Sequence, residues 1–432
     1  MNPTYYITTL GCPKNQADSR EMERSLRRRG FLPASVPDQA DYHIINTCSF
    51  IEPAREETIQ VTLDAAGLKR KNKNQKLILS GCFSERYKKE VRKDLPEVDF
   101  SFGTGNFDHA GELIEKQFNI KLDPGSISDS VPLRGNVHYA PLKISDGCSR
   151  SCTFCSIPQF RGKFKDIERH KILDETRRLA EEGVREIDIV SQDTTSYSGS
   201  AEDLLELIED IHSVEGIEWI RLLYLYPDRK TENLLEGLHK RKFQKIVPYF
   251  ESPVQHVSDN ILRRMKRSGG YEFYSSLFSL ARSIAPEVEI RTSFIVGFPG
   301  ESEGDFEKIM KFMEETAVEK VSFFPFYPEE NTPAALFPDA IPQKIVAERI
   351  NVLRNHHLNL LRKIHRDRMG RVYKCLVDFV DGSSILARRP QDAPEIDEMV
   401  ILPFEEGIKP GDFKTVRITG FYEYDMTGMI EC

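Results

Sequence analysis

Cys148-Ser149-Arg150-Ser151-Cys152-Thr153-Phe154-Cys155 decides how the middle of this chain is read. Three thiols lie within eight residues, with three residues in the first gap and two in the second. A structural zinc knuckle is one reading, but zinc at such sites takes four protein ligands in a closed tetrahedron. No fourth Cys or His follows nearby, and the next histidine is His170. Three thiolates suit instead a [4Fe–4S] cluster with one iron left without a protein ligand, where a small molecule can be held and reduced.

The stretch lies just past a strand, Pro141-Leu142-Lys143-Ile144-Ser145. Downstream, strands at Glu186–Val190, Trp219–Leu223, Ile246–Phe250, Val288–Val296 and Lys320–Phe324 alternate with helical patterns. About six β-α units predict a barrel short of the eight that usually close one. Chemistry in barrels sits on the loops after the strands. Ser191-Gln192-Asp193 and Gln255-His256 fall there, as does Gly297-Phe298-Pro299-Gly300-Glu301, whose turn suits close backbone approach to a flat ligand such as adenine. Gln192, Asp193, Gly297, Pro299, Gly300, Glu301 and Arg161 are the candidate cofactor contacts. Arg161 is either a partner for a carboxylate or a solvated surface arginine. His256 reads as a hydrogen-bonded structural residue.

Upstream, strands at Tyr5–Leu10, Tyr42–Asn46, Lys76–Ser80 and Val98–Phe102 alternate with helices at Gln16–Arg29, Glu52–Leu68, Glu85–Lys93 and Phe107–Phe118. That order predicts an open parallel sheet covered on both faces. Cys12, Cys48 and Cys82 follow the first three strands, and ligands bind at the carboxyl edge of such a sheet. Free cysteines are often core hydrophobes. Gly11-Cys12-Pro13 and Gly81-Cys82, however, put thiols in turns, and the reading adopted is a second three-cysteine cluster site.

Residues 120–137 form a linker rich in Pro, Gly, Ser and Asp. A long helix from about Gln343 to Arg366 leads to short strands at Val372–Val380, Ser384–Ala387, Met399–Leu402, Phe413–Thr419 and from Tyr422 onward, which suggest a small antiparallel barrel. The divisions are therefore 1–119, 138–365 and 366–432. From Arg366 to Cys432 there are nine basic and thirteen acidic residues, a balance of −4. A basic protein partner fits that charge better than RNA does. Cys375 and Cys432 are assigned to no cluster.

The 432 residues are 39% hydrophobic and 30% charged, with a net charge of −8, as in a soluble globular protein. No leader pattern and no apolar run near the roughly 18 residues of a membrane span is present. Eight cysteines without a secretion signal read as metal ligands in a cytoplasmic protein.

The Cys-x-x-x-Cys-x-aromatic-Cys pattern, with Phe154 as the aromatic, resembles that of radical S-adenosylmethionine enzymes. The earlier cysteines spread over an α/β domain resemble the methylthiotransferase branch. Within it, Gly11-Cys12-Pro13-Lys14-Asn15, Ser145-Asp146-Gly147-Cys148, Ile157-Pro158-Gln159-Phe160-Arg161-Gly162, Ser191-Gln192-Asp193-Thr194 and Pro253-Val254-Gln255-His256 are similar to the enzymes that modify a ribosomal protein. Those acting on tRNA adenosine usually carry Gly-Cys-Gln-x-Asn and Glu-Gly-Cys at the first two places. Tyr327-Pro328-Glu329-Glu330-Asn331-Thr332 departs from the pattern, which has Ser and Gly where Pro328 and Asn331 stand.

The resemblance implies a central radical-SAM barrel, a C-terminal TRAM domain, two [4Fe–4S] clusters and S-adenosylmethionine. Cys148, Cys152 and Cys155 would hold the radical-generating cluster, and Cys12, Cys48 and Cys82 the one that carries or delivers sulfur. It further implies methylthiolation at the β-carbon of an aspartate in small-subunit ribosomal protein twelve, free or in the assembled subunit. An electron donor of flavodoxin or ferredoxin type and a sulfur source are implied as well. The competing readings are the same chemistry on tRNA adenosine and a zinc-containing RNA-binding protein.

Overall fold

Strand-forming runs in the first hundred residues assemble as one sheet. The structure, a computed structural model, describes residues 2–72, 74–120, 122 and 138–431. The expected linker at 120–137 lies almost wholly outside the described residues, as does Cys432. Strands β1 (Thr4–Thr9), β2 (Leu32–Pro33), β3 (Tyr42–Thr47), β4 (Lys76–Gly81) and β5 (Phe100–Ser101) pair in parallel in the order β2-β1-β3-β4-β5. Helices Pro13–Arg28 and Ala110–Gln117 bury Met22, Leu26, Ala110 and Ile114 against Tyr5, Ile44 and Ile78 on one face. Helices Glu52–Lys71 and Lys88–Asp94 bury Ala65, Ala66 and Val91 against Ile45, Leu77 and Leu79 on the other. Each large apolar side chain so buried contributes about 1.5–3 kcal/mol.

Two details depart from the sequence reading. The two-residue strand Leu32–Pro33 extends the sheet at its edge, where a proline needs no ladder partner. The helix expected at Glu85–Lys93 is two pieces, Cys82–Arg86 and Lys88–Asp94, broken at Tyr87.

In the middle of the chain, β6 (Tyr139–Lys143) leads to a short antiparallel pair, β7 (Ser145–Asp146) with β8 (Lys165–Asp166). That pair clamps the two ends of the cysteine loop. Strands β9 (Glu186–Val190) and β10 (Trp219–Leu222) follow and form a parallel sheet in the order β10-β9-β6. Strands β11 (Tyr249–Glu251), β12 (Glu289–Val296) and β13 (Lys320–Pro325) form a second, and a parallel bridge between Ile220 and Ile246 joins the two into an open six-stranded barrel. Helices on the outside bury one contiguous core, including Leu204, Ile208, Phe278, Ile309 and Phe312. Ser302 and Asp305 form a capping box that starts helix Glu303–Thr316 directly after the Gly-Phe-Pro-Gly-Glu turn.

Helix Gln343–Arg368 carries the chain to a closed barrel of β14 (Val372–Val380), β15 (Ser384–Arg388), β16 (Val400–Pro403), β17 (Phe413–Tyr422) and β18 (Asp425–Ile430). Its pairings among the described residues are antiparallel except for β16 with β18, which run parallel. Cys375 lies in that barrel's core, where burial pushes its thiol up to about 12.

The tail also reaches into the larger barrel. The segment after β15 enters at the amino ends of the strands, opposite the cysteine loop. Arg388 pairs with Glu186 at the start of β9 (2.7 Å), and Arg389 with Glu289 at the start of β12 (2.8 Å). Asp392 pairs with Lys320 at the start of β13 (3.1 Å), and Arg221 donates to the Pro390 carbonyl (3.0 Å). Three of the tail's nine basic residues, Arg368, Arg388 and Arg389, are buried there. The charge count from sequence treated all nine as surface.

Candidate active site

The carboxyl ends of β1, β3 and β4 are adjacent in the sheet, and a cysteine follows each. Thr47 and Gly81 are register partners, so Cys48 and Cys82 leave their strands side by side. Cys12 caps helix Pro13–Arg28, whose proline sits in its first turn. Gly11 and Gly81 both have φ of +90°, which side chains other than glycine rarely adopt. A Cβ on Gly11 would stand 2.8 Å from Cβ and 3.0 Å from Sγ of Cys48, and one on Gly81 would meet the Thr47 carbonyl at 2.8 Å. The close approach that puts these thiols together therefore requires glycine.

Arg161 ties this group to the barrel. Its side chain is 3% exposed and ion-pairs with Asp18 (2.7 Å) and Asp146 (3.4 Å). It donates to Asn15 Oδ1 (2.9 Å) and to Cys82 Sγ (3.2 Å). It is thus not a solvated arginine, and the carboxylates it meets are the protein's own. Burial pushes the Cys48 thiol up and the Cys82 thiol up to about 12, with Arg161 opposing in both. Thiols this buried ionise when a cationic metal centre binds them.

The second triad lies in a loop held from several directions. Cys148 N donates to the Gly162 carbonyl (3.1 Å), Thr153 N to Met265 O (3.0 Å), and Ala334 N to Thr153 O (2.9 Å). Phe154 packs against a cluster containing Ile261, Met265, Phe298 and Phe326. Burial raises Cys148 and takes Cys155 to about 12. Arg267 directs Nη1 at Cys152 Sγ (3.7 Å), and the Arg150 N–H points at Cys148 Sγ (3.4 Å). Cations and N–H groups beside sulfur suit a negatively charged cluster.

Among the described residues no three His, Cys, Asp or Glu side chains converge on a single metal ion. Cluster ligation does not need such convergence, because each thiolate meets a different iron. The donor chemistry fits: two sets of three thiols, buried or half-buried, each set beside a cation. Gln192 Oε1 is buried without a hydrogen-bond partner among the described residues, at the strand end where a cofactor contact is expected.

The other candidate contacts are largely engaged by protein. Asp193 accepts from Arg150 Nε (2.6 Å), Thr195 (2.7 Å) and Ser196 (2.7 Å). Glu301 accepts the Gly297 N–H (2.9 Å) and pairs with Arg349 (2.6 Å). Pro299 lies in the turn between them. Gly300 N donates to Asp339 O (2.9 Å), and a Cβ on Gly300 would stand 2.8 Å from the Arg264 guanidinium. The space beside that turn holds Arg264. His256 is fully buried and accepts the Val257 and Ser258 N–H groups at Nδ1 (2.9 Å each).

Several site residues were not legible in sequence. Arg150 and Arg267 lie over the Tyr226 ring at 3.7 and 4.4 Å. Lys14 lies over Tyr224 at 3.4 Å. Glu329 receives Arg55 (2.6 Å) and Arg86 (2.8 Å) from the first domain, which docks that domain over the barrel mouth. The signal available for the tyrosines was their place in Tyr224-Leu225-Tyr226, immediately past a barrel strand. Asn331, where the family has glycine, takes φ of 58°, a conformation asparagine tolerates.

Comparisons with known proteins agree with this arrangement. Residues 4–103 match the uncharacterized protein family UPF0004, residues 142–313 the Radical SAM superfamily, and residues 369–430 the TRAM domain. Ribosomal protein uS12 methylthiotransferase RimO of Leptospira biflexa is 46% identical, covering 98% of this chain and 96% of that protein. The proteins of the same name in Clostridium tetani and Thermodesulfovibrio yellowstonii are each 36% identical over 99% of this chain, with 98% and 99% of their own lengths covered. Among solved structures, the radical S-adenosylmethionine methyltransferase TsrM of Kitasatospora setae aligns with TM-score 0.57 at 13% identity, covering 78% of this chain and 77% of that one. The cobalamin-dependent radical enzyme OxsB aligns with TM-score 0.52 at 15% identity, covering 81% and 56%. Those two likenesses concern the fold alone. From its three domain matches and its full-length relatives, the chain belongs to the radical S-adenosylmethionine methylthiotransferase family, alongside the ribosomal protein uS12 methylthiotransferases.

Proposed function

We propose that this chain replaces one hydrogen on the β-carbon of an aspartate of ribosomal protein uS12 with a methylthio group. The observation that carries it is the coupling of two cysteine triads. Arg161, just past Cys155, is locked against Cys82 and Asp18 of the first domain, so both triads belong to one site. Cys148, Cys152 and Cys155 would hold one [4Fe–4S] cluster, and Cys12, Cys48 and Cys82 a second. When bound, the first cluster with S-adenosylmethionine would supply the radical that removes the hydrogen atom, the second cluster the sulfur, and a second S-adenosylmethionine the methyl group.

The chain's own residues do the rest. Arg150 and Arg267, stacked on Tyr226, fix the floor beside Cys148 and Cys152. Asp193, held by Arg150, Thr195 and Ser196, and Gln192 Oε1, without a hydrogen-bond partner among the described residues, present acceptors at the cofactor edge. Glu329, Arg55 and Arg86 close the first domain over the barrel and exclude water. The tail leaves Phe404, Glu405 and Glu406, and Tyr422, Glu423 and Tyr424, exposed to meet a basic protein. A ribosomal substrate places the work in the cytoplasm. A flavodoxin- or ferredoxin-type electron donor and a sulfur source complete the system. The Radical SAM match over 142–313 favours this reading over a zinc knuckle, and the names of the relatives favour uS12 over tRNA.

Anaerobic purification tests the cofactor assignment. The expected protein is brown, with iron and sulfide each about eight per chain, as two four-iron clusters require. Cys148→Ala should abolish formation of 5′-deoxyadenosine while keeping roughly half the iron, since only one of the two clusters loses a ligand. A colourless zinc protein, or turnover that survives Cys148→Ala, contradicts the assignment.

A further inference from the structure

Lys14 lies two residues past Cys12, in the first turn of helix Pro13–Arg28. It is 9% exposed, and among the described residues its ammonium makes neither a hydrogen bond nor an ion pair. What it meets is the face of Tyr224, 3.4 Å from Nζ to the ring centroid. A cation–π contact recovers only part of what removing an ammonium from water costs. The ammonium is therefore without a hydrogen-bonded counter-ion among the described residues.

The surroundings say where that counter-ion comes from. Tyr224 follows β10 at its carboxyl end, with φ of 61°. Its carbonyl accepts from Thr194 N (3.1 Å), and its N–H donates to Glu251 (2.9 Å). Two residues on, Tyr226 lies beneath Arg150 and Arg267; the Arg150 backbone N–H also meets Cys148 Sγ, and the Arg267 guanidinium Cys152 Sγ. Lys14 thus stands between the two cysteine triads, facing the barrel mouth. The nearby Glu251 carboxyl accepts the Tyr224 N–H; burial raises its pKa, while Arg291, that hydrogen bond and Lys14 oppose the rise, and no hydrogen bond joins it to Lys14 among the described residues.

We infer that Lys14 binds the side-chain carboxylate of the substrate, fixing the adjacent carbon between the triads; this rests on the proposed methylthiolation of an aspartate. One buried ammonium neutralises one charge, which suits a lone carboxylate. A nucleic-acid backbone, with its run of phosphates, calls for several cations.

The test uses anaerobically reconstituted full-length enzyme and uS12 in two forms, one with the target aspartate and one with asparagine in its place. Affinity is measured for both on wild type, Lys14→Met and Lys14→Arg, alongside KM and kcat on the aspartate form. Wild type is expected to prefer aspartate by roughly tenfold or more, as a charge-assisted hydrogen bond gives. Lys14→Met should lose that preference and raise KM, and Lys14→Arg should keep most of it. Iron content equal to wild type shows that Lys14→Met is folded and loaded. A Lys14→Met enzyme that still prefers aspartate overturns the assignment alone. A wild-type enzyme that modifies no ribosomal protein overturns the underlying reaction, and the assignment with it.

Discussion

Arg161 shows what a single residue contributes across a domain boundary. Its guanidinium pairs with Asp18 Oδ2, which has no hydrogen bond among the described residues, and touches Cys82. Arg161→Gln leaves the buried Asp18 and the half-buried Asp146 with Lys143 as their remaining cation. The loss expected in urea unfolding is about 3–5 kcal/mol, the cost of breaking a buried ion pair. The iron content of the anaerobically purified protein should fall in the same variant, whereas a purely surface arginine would change neither. The cysteines themselves were legible because ligand spacing and position after a strand are local properties of the chain. The partners of Arg161 were not, since Asp18 lies over a hundred residues earlier and no periodicity links the two.

At the scale of elements, alternating strands and helices could be read because apolar runs and capping residues mark them locally. Leu32–Pro33 escaped because two residues carry no pattern, and proline reads as a turn. The helix Gln343–Arg368 presents His357 to the barrel, where its Nε2–H donates to the Glu319 carbonyl (3.1 Å). Burial depresses the His357 pKa from 6.5 to about 4. The unfolded chain therefore takes up the proton first. The stability that neutral His357 contributes is present above pH 6.5 and is lost as pH falls through about 4. That loss is about 3 kcal/mol from this residue. Denaturant unfolding at pH 7 and pH 4 measures it, and His357→Gln should flatten the slope between them. An unchanged slope contradicts the burial argument.

At the scale of the whole molecule, the C-terminal barrel also plugs the amino end of the large barrel. Arg388, Arg389 and Asp392 complete the charges that Glu186, Glu289 and Lys320 set at the closed end of the large barrel. Arg389→Met should destabilise the protein by about 3–5 kcal/mol, since Glu289 and Asp392 stay buried without it. Hydrogen exchange across residues 372–430 distinguishes loss of docking from loss of the small barrel itself. Sequence showed the tail's fold and net charge. It could not show that a third of the tail's basic residues turn inward, because net charge carries no direction. The plug stands at the amino ends of the barrel strands, and the first domain lies over their carboxyl ends.

The measurement that tests this account most directly is mass spectrometry of uS12 and of tRNA after anaerobic incubation with the reconstituted protein, S-adenosylmethionine, a reductant and a sulfide source. The account predicts that uS12 gains one methylthio group in place of one hydrogen on an aspartate, while tRNA is unchanged and Cys82→Ala and Cys148→Ala each abolish the product. A methylthiolated tRNA adenosine with unmodified uS12, or product from either variant, would contradict it.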